Sequence, residues 1–404
     1  MQKLTGTAVV AHGGGPTAVI NASLVGVIEE RRRHSEITAL YGARHGIQGV
    51  LEEDFIDLDR EDPNLVELIG RTPGSALGSC RYKVKEADYE RILTVFRAHN
   101  VRYFFYTGGN DSMDTTLKVA RLARQTGYEL RALGIPKTID NDLAETDHCP
   151  GYGSAALFYA CALRDIGADI RELPRRVTVV EVMGRNAGWL VAAAALARHQ
   201  PDDPPQLIYL PERPLSGSKL LADVEAVYRR LGYAVVAVCE GQRDEKGEPF
   251  GADLIAADGF AHELAGNLAH ALSQLIARHL KLRARSEKPG LLGRTSGAFI
   301  SESDRQEARM CGREAVRAAV EGVSEKMVSL VRDPGPDYHV RTGLADLEKV
   351  ANVERRFPLE WIHPEGNDVL PAFLHYARPL TGEVAPRPRL LGIPVPRRLG
   401  SSGQ

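Results

Sequence analysis

The sequence predicts an α/β protein built from doubly wound parallel sheets, and three observations carry that expectation. Short apolar runs without polar alternation recur along the chain, the pattern of strands covered on both faces. Longer helix-like stretches, such as 153–167 and 188–198, separate these runs in the alternation that parallel sheets require. The chain has 404 residues, more than one hydrophobic core usually organises, so two lobes are expected.

In order, the strand candidates are TAVVAH (7–12), VRYFFYTGG (101–109), LRALGIP (130–136), RVTVVEVMG (176–184), QLIYLPE (206–212) and AVVAVCEG (234–241). Most end in Gly, Pro, Asp or Glu, and ligands of open α/β sheets bind beyond the carboxyl ends of strands. The expected division is a first lobe over 1–150, completed by part of 293–345, and a second lobe over 151–292. A Pro- and Arg-rich C-terminal extension, partly irregular, covers 345–404. No internal repeat of fixed short period is present.

Composition narrows the function. Apolar residues make up 43% and charged residues 26% of the chain, the balance of a folded globular protein. With 51 basic and 53 acidic residues the net charge is −2, so no global field recruits nucleic acid or an anionic membrane, and any anion site is local. Five scattered cysteines lack CxxC spacing, which fits a reduced, cytoplasmic protein. The opening MQKLTGTAVV has no signal-type apolar core, and no run approaches the ~18 apolar residues of a membrane span.

Four constellations could carry chemistry. In HGGGPTAVINASL, Gly13, Gly14 and Gly15 follow the first strand and precede a helix. Glycines let the main chain approach a ligand, and a helix N-terminus offers free N–H groups to a phosphate; a plain tight turn explains this stretch equally well. In YTGGNDSMDTTLKVARLA, Gly108 and Gly109 open a turn, Asn110, Asp111 and Ser112 start a helix, and Thr115 and Lys118 continue along it. Helix capping explains one of the polar residues. It does not explain two glycine-led strand ends of one design, which together resemble a phosphate cradle.

The third constellation, GIPKTIDNDL, brings Lys137, Thr138, Asp140 and Asp142 to a strand end. Two aspartates two residues apart can point to one side of an extended segment. One could take a proton from an attacking hydroxyl while the other orients it or a metal, and Lys137 could neutralise a transferring phosphoryl group. Turn chemistry is the competing explanation for the Asn and Asp residues; Lys137 and Thr138 are not typical turn residues. The fourth group is Arg81, Lys83, Arg176, Arg185, Arg285 and Arg294, with Glu240 after an apolar strand. An isolated arginine is usually a solvated surface residue, but Arg185 in VEVMGRNAGW directly follows a buried strand, and guanidinium forks suit phosphate oxygens.

Taken in order over roughly residues 5–310, the segments GGGPTAVINAS, GGNDS, PKTIDND, MGR, CEG and GLLGR resemble the phosphofructokinase family, specifically its pyrophosphate-dependent branch. The C-terminal part stays outside the resemblance. The resemblance implies two Rossmann-like lobes with the active site in the cleft between them, the first binding the phosphoryl donor and the second the sugar phosphate. It implies reversible phosphoryl transfer from pyrophosphate to the 1-hydroxyl of fructose 6-phosphate, giving fructose 1,6-bisphosphate and phosphate, in glycolysis or gluconeogenesis, with Mg2+ as cofactor. Asp140 would be the proton-accepting base, supported by Asp142. Thr138, Met183, Gly184, Arg185, Glu240 and Arg294 would hold the sugar phosphate. Arg176 and Arg285 would reach the site of a neighbouring subunit, so that a homo-oligomer, dimer or tetramer, shares its active sites. Gly14 and Arg81 would touch the donor, with Lys83 and Ser112 beside them.

Asp111 and Lys137 select the donor under the same resemblance, since ATP-using members carry glycine at both positions. Asp111 would take the place and charge of the α-phosphate of ATP, and Lys137 would supply charge to pyrophosphate. Some positions depart from the family pattern. Its magnesium-linked aspartate is Asn110 here, a weaker oxygen donor, which moves the expected metal contacts toward pyrophosphate, Asp111 and water. Leu291 replaces a His or Tyr common at the sugar site. Val25 and Glu29 stand where nucleotide-effector arginines occur, so nucleotide control is not expected. An ATP-dependent phosphofructokinase is the alternative enzyme, opposed by Asp111 and Lys137. A regulatory sugar-phosphate-binding subunit is the alternative without catalysis, opposed by the presence of Asp140.

Overall fold

Every apolar run named above forms a strand in the computed structural model, which describes residues 4–173, 176–250, 267–335, 337–390 and 393–396. The strands are β1 (Gly6–His12), β2 (Ile37–Ala43), β3 (Phe55–Asp57), β4 (Val101–Gly108), β5 (Arg131–Pro136), β6 (Val177–Val182), β7 (Leu207–Tyr209), β8 (Ala234–Cys239), β9 (Ala284–Glu287), β10 (Lys326–Arg332) and β11 (Val340–Asp346). One sheet has the order β11-β10-β5-β4-β1-β2-β3 and the other β7-β8-β6-β9. The centre of the larger sheet is parallel, with β3 and β11 added antiparallel at its edges. All pairs in the smaller sheet are parallel. The α/β class is therefore as expected.

Burial explains the central strands. All residues of β1, β6 and β8 are buried, which is why their sequences lack polar alternation. From β1 the chain moves to β2 and β3, then returns across β1 to β4 and β5. The strand order thus reverses between β1 and β4, and a crevice opens beyond their carboxyl ends.

Helices lock the sheets together. Helix Ile20–Arg31 crosses helix Glu302–Val320 at backbone distance, because a Cβ at Gly26 would collide with the Arg309 carbonyl and one at Gly312 with that of Ser23. Near the start of the second of these helices, buried Asp304 accepts hydrogen bonds from Gly151 N at 2.7 Å and Ser154 N at 2.8 Å. Those N–H groups lie at the start of helix Tyr152–Glu172, where they have no intrahelical partner.

The segment expected as an extension does not stand apart. Phe357, Ile362, Val369, Phe373, Tyr376, Ala377, Leu380 and Val384 share one core with Tyr152, Tyr159 and Trp189. Ring centroids lie 5.1 Å apart for Trp189 and Phe357, and 5.3 Å apart for Phe357 and Phe373. Among the described residues no helix is long and apolar enough to cross a membrane, and all five cysteines are free thiols.

If the C-terminal helix Pro371–Thr381 is part of the cooperative core, Phe373→Ala should destabilise the protein by about 3–5 kcal/mol, the usual loss for a buried phenylalanine. Urea unfolding with an unchanged m-value measures this. A loss below ~1 kcal/mol, the range of surface substitutions, would show that the helix melts independently.

Candidate active site

Three strand ends of the larger sheet meet around one ammonium group. Lys137, which follows β5, donates from Nζ to the carbonyls of Gly13 at 2.7 Å and Gly15 at 2.8 Å. Its main-chain N–H bonds Gly108 O at 3.1 Å. The side chain is only 4% exposed, yet an ammonium has three donors and two are used, so one remains for a ligand. Burial pulls its pKa down to about 8, with Arg294 and Arg81 adding to the fall and Asp140 and Asp142 opposing it. Gly14 beside it has φ +74°, a left-handed conformation suited to glycine.

Arg294 approaches the same turn, since a Cβ at Gly15 would lie 2.7 Å from its Nη1. Burial and the charge of Arg81 lower its pKa. Arg81 follows Cys80, whose carbonyl accepts from Gly14 N at 3.0 Å, and Lys83 is exposed two residues on. Lys137, Arg81 and Arg294 thus repel one another around a glycine turn. An anion is the ligand that relieves this repulsion.

The second turn is built differently from the expected open cradle. Ser112 is buried, and its hydroxyl fills the space that a Cβ at Gly13 or Gly108 would need. It packs against both turns. Asp111 is exposed in the first turn of helix Asn110–Gln125. With its side-chain amide turned so that the nitrogen faces them, the orientation its surroundings require, Asn110 donates to Val350 O at 2.9 Å and Val353 O at 3.2 Å. Asn110, expected among the metal contacts, is therefore also a tether to the C-terminal segment.

Asp140 lies next to this cationic turn. Its N–H bonds Thr138 Oγ1 at 3.1 Å. Burial raises its pKa to about 7, helped by the carboxylates of Asp142 and Glu240 and opposed by Arg185 and Lys137. Burial also raises the pKa of Asp142, whose Oδ1 is buried without a hydrogen-bond partner. The segment is not extended as expected: Asn141 adopts φ +56°. Its amide turns inward, donating to Tyr376 Oη at 2.9 Å and accepting from Cys149 N at 2.9 Å.

Across the cleft, Met183 and Glu240 follow neighbouring strands β6 and β8. Gly184, at φ +121°, donates to Glu240 Oε1 at 3.2 Å, and Met183 N donates to Tyr159 Oη at 3.2 Å. Arg185 is exposed beside them. A cavity of about 240 Å³ opens here, lined by Glu181, Met183, Glu240, Lys288, Gly290 and Leu291. Lys288, 3.1 Å from Glu181 Oε1, was not singled out from the sequence, although it lies between Arg285 and Arg294.

Arg176 and Arg285, expected to reach the site of a neighbouring subunit, lie away from the cleft of their own chain. Arg176 precedes β6 at its amino end, is 8% exposed, and donates to the carbonyl and carboxylate of Asp169. Arg285 is exposed and pairs in register with Thr178 near the same end. At ~3.3 Å per strand residue, Arg176 sits roughly 23 Å from Met183 along β6.

Residues 7–319 match the protein family described as phosphofructokinase (PFK). The chain belongs to the phosphofructokinase family. It is 42% identical over 390 residues to a pyrophosphate--fructose 6-phosphate 1-phosphotransferase of Rhodospirillum rubrum, covering 94% of this chain and 95% of that one. Identity to the enzyme of the same name from Xanthomonas campestris is 41%, over 94% and 93% of the two chains. The crystal structure of a pyrophosphate-dependent phosphofructokinase from Marinobacter aquaeolei superposes with a TM-score of 0.85 at 38% identity, over 96% of this chain and 95% of that one.

Phosphofructokinase chemistry calls for a divalent cation, and the residues present set how one would be held. No group of three His, Cys, Asp or Glu side chains is placed to bind a metal among the described residues. The exposed Asp111 and the unpartnered Asp142 Oδ1 fit a cation that takes most of its ligands from donor oxygens and water, as magnesium commonly does. Glu29 accepts from Arg309 and Arg313, the latter at 2.7 Å and 3.0 Å.

The raised pKa of Asp140 carries a stability consequence with a definite sign. The folded state holds this proton more tightly than the unfolded chain, so stability falls as pH rises from the ordinary carboxyl range to about 7, and the penalty is complete above that. Asp140→Asn should therefore melt higher than wild type at pH 8, the difference shrinking toward pH 4. Thermal melts across this range test it. An Asp140→Asn protein that melts lower than wild type at pH 8 would show that the carboxylate is not destabilised by its surroundings.

Proposed function

We propose that this protein catalyses the reversible transfer of a phosphoryl group from pyrophosphate to the 1-hydroxyl of fructose 6-phosphate, in glycolysis or gluconeogenesis. The products are fructose 1,6-bisphosphate and phosphate. The observation that carries the reading is the buried Lys137, which leaves one N–H free at a glycine turn flanked by Arg81 and Arg294. Such a cluster suits a small, highly charged donor. The names of the relatives, which specify pyrophosphate and fructose 6-phosphate, support the same choice. Asp111 at the helix start disfavours a nucleotide whose α-phosphate would lie there, and so disfavours the ATP-dependent alternative. The presence of Asp140 disfavours a non-catalytic regulatory subunit.

The chemistry follows from the two sides of the cleft. Met183, Gly184, Arg185, Glu240 and Thr138 hold the sugar phosphate with its 1-hydroxyl toward Asp140. The Asp140 carboxylate takes the hydroxyl proton as the sugar oxygen attacks the nearer phosphorus. A P–O bond forms to the sugar, the bridging P–O bond of pyrophosphate breaks, and phosphate leaves. In the reverse direction Asp140 returns the proton. A pKa near 7 suits both directions, because neither protonation state is far out of reach at neutral pH. Lys137 and Arg294 stabilise charge on the transferring group. Mg2+, held mainly by the donor and water with help from Asp111 and Asn110, would spread the donor's negative charge.

Arg176 and Arg285 enter this reading through a neighbouring subunit. They sit at the amino end of the smaller sheet and cannot reach the cleft of their own chain, so we assign them to the sugar phosphate of a partner copy in a homo-oligomer. Arg176 would exchange Asp169 for that phosphate. The five free thiols accord with a cytoplasmic setting, and neither nucleic acid nor a membrane is a partner in this reading.

Turnover of fructose 6-phosphate with pyrophosphate and with ATP, offered separately, tests the donor. Wild type should use pyrophosphate; preference for ATP at equal concentration would sink the proposal. Lys137→Gly should lower kcat with pyrophosphate by about 10²–10³, the range for losing one preorganised donor, and Asp111→Gly should improve the use of ATP.

Shared sites have their own test. Hetero-oligomers of an Asp140→Ala chain and an Arg176→Ala chain should recover activity, since some sites then carry both native residues. Verified mixed oligomers that stay inactive would place the whole site within one chain.

A further inference from the structure

Residues 354–357 lie beyond the 7–319 stretch that matches the family, yet they pass directly between the two halves of the active site. On one side Glu354 forms an antiparallel bridge with Leu143, and Arg355 N donates to Asp142 O at 2.7 Å. The Arg355 guanidinium donates to the carbonyls of Asn141 at 3.2 Å, Thr146 at 2.9 Å and Asp147. On the other side Asn186, from MGRNAGW, donates to Glu354 Oε1 at 2.9 Å. Trp189 donates from its indole to Arg355 O at 3.1 Å, and its ring lies 4.3 Å from the guanidinium carbon. Glu212 closes the circuit by accepting from Gly188 N at 2.8 Å and Phe357 N at 3.0 Å.

Tyr376 completes the hold on the aspartate loop. Its hydroxyl accepts from Asn141 Nδ2 at 2.9 Å, donates to Asp147 O at 2.8 Å, and lies 3.3 Å from Arg355 Nη2. Asn141 sits between Asp140 and Asp142 in a left-handed conformation, so its side chain and carbonyl determine where both carboxylates point. An arginine fork directed at three main-chain carbonyls of one loop fixes that loop more firmly than a lysine could, because its donors are planar and preorganised.

We propose that the C-terminal segment is a strap that positions the Asp140–Asp142 loop against the sugar-binding turn, with Arg355 and Tyr376 as its positioning residues. Neither residue needs to touch substrate. Their effect on the reaction is exerted through Asn141, and through the distance between Asp140 and the sugar held by Met183 to Arg185. Displacing a reacting group by about 1 Å can cost on the order of 10²-fold in rate. The inference rests on Asp140 acting as the base.

Three variants test the strap: Arg355→Ala, Arg355→Lys and Tyr376→Phe, assayed with fructose 6-phosphate and pyrophosphate. Arg355→Ala should lower kcat by about 10–100-fold with both KM values nearly unchanged, the signature of an effect confined to the transition state. Free guanidinium ion should restore part of that loss. Arg355→Lys should recover less than half of it, and Tyr376→Phe should lower kcat more modestly. Hydrogen exchange over 140–147 should accelerate in Arg355→Ala and Tyr376→Phe without a change at β1 or β6.

A folded Arg355→Ala protein with wild-type kcat would overturn the strap. So would a kcat loss matched by an equal rise in KM and no response to guanidinium. If Arg355→Ala fails to fold, Tyr376→Phe decides, and unchanged kcat with unchanged exchange over 140–147 overturns the proposal. Failure of the functional reading looks different: wild type itself would not turn over pyrophosphate, and the exchange measurement would still report whether the loop depends on the strap.

Discussion

A buried lysine ammonium between two glycine carbonyls is the interaction on which the site depends. Lys137 links the ends of β1 and β5 through Gly13 and Gly15, and its own N–H adds β4 through Gly108. Taking such a charge out of water is costly unless it is well bonded. Here two carbonyls compensate part of that cost, and the nearby carboxylates of Asp140 and Asp142 compensate more. The arrangement also fixes the glycines: a left-handed Gly14 keeps the turn tight enough for both carbonyls to face one nitrogen. The same group therefore shapes the crevice and charges it.

Much of the architecture was legible because buried parallel strands have little choice of residue. TAVVAH, VTVVEV and AVVAVC are wholly buried and mostly apolar, and their ends carry the glycine, methionine and glutamate positions of the cleft, as the end of LGIP carries Lys137. Other strands gave no such signal. β9 reads ARSE and alternates between half-buried and exposed, while β2 includes an exposed Thr38 within ITALYGA. Edge and half-covered strands are defined by their neighbours more than by their own composition.

The candidate site divides along the same line. Lys137, Asp140 and Glu240 could be found from local pattern, since each follows a strand that announces itself. What local pattern could not show were contacts closed over long stretches of chain. Asn110 reaches Val350 and Val353, Ser112 is enclosed by turns from two strands, and Arg176 is taken up by Asp169. Arg355 and Tyr376 gave no signal at all, because PLEWIHPEG and its neighbours read as a tail until their aromatic rings are seen packed on Trp189. A charged residue in such a segment reads as solvated surface. Only its three carbonyl partners reveal otherwise.

The helix crossing at Gly26 and Gly312 bears on how such a chain can be recombined. Each glycine makes room for the backbone of the other helix, and the contact is extended by Glu29 with Arg309, partners 280 residues apart in sequence. The second helix also caps Tyr152–Glu172 through Asp304. A chimera that joins the first hundred residues of one relative to the remainder of another would divide this crossing between parents. Unless the first parent carries a small residue at position 26 and the second one at position 312, the two backbones could not approach, and the mismatch would reach the sugar-binding half through the capped helix. The segments 20–31 and 302–320 therefore form one inheritable unit, although most of the chain lies between them.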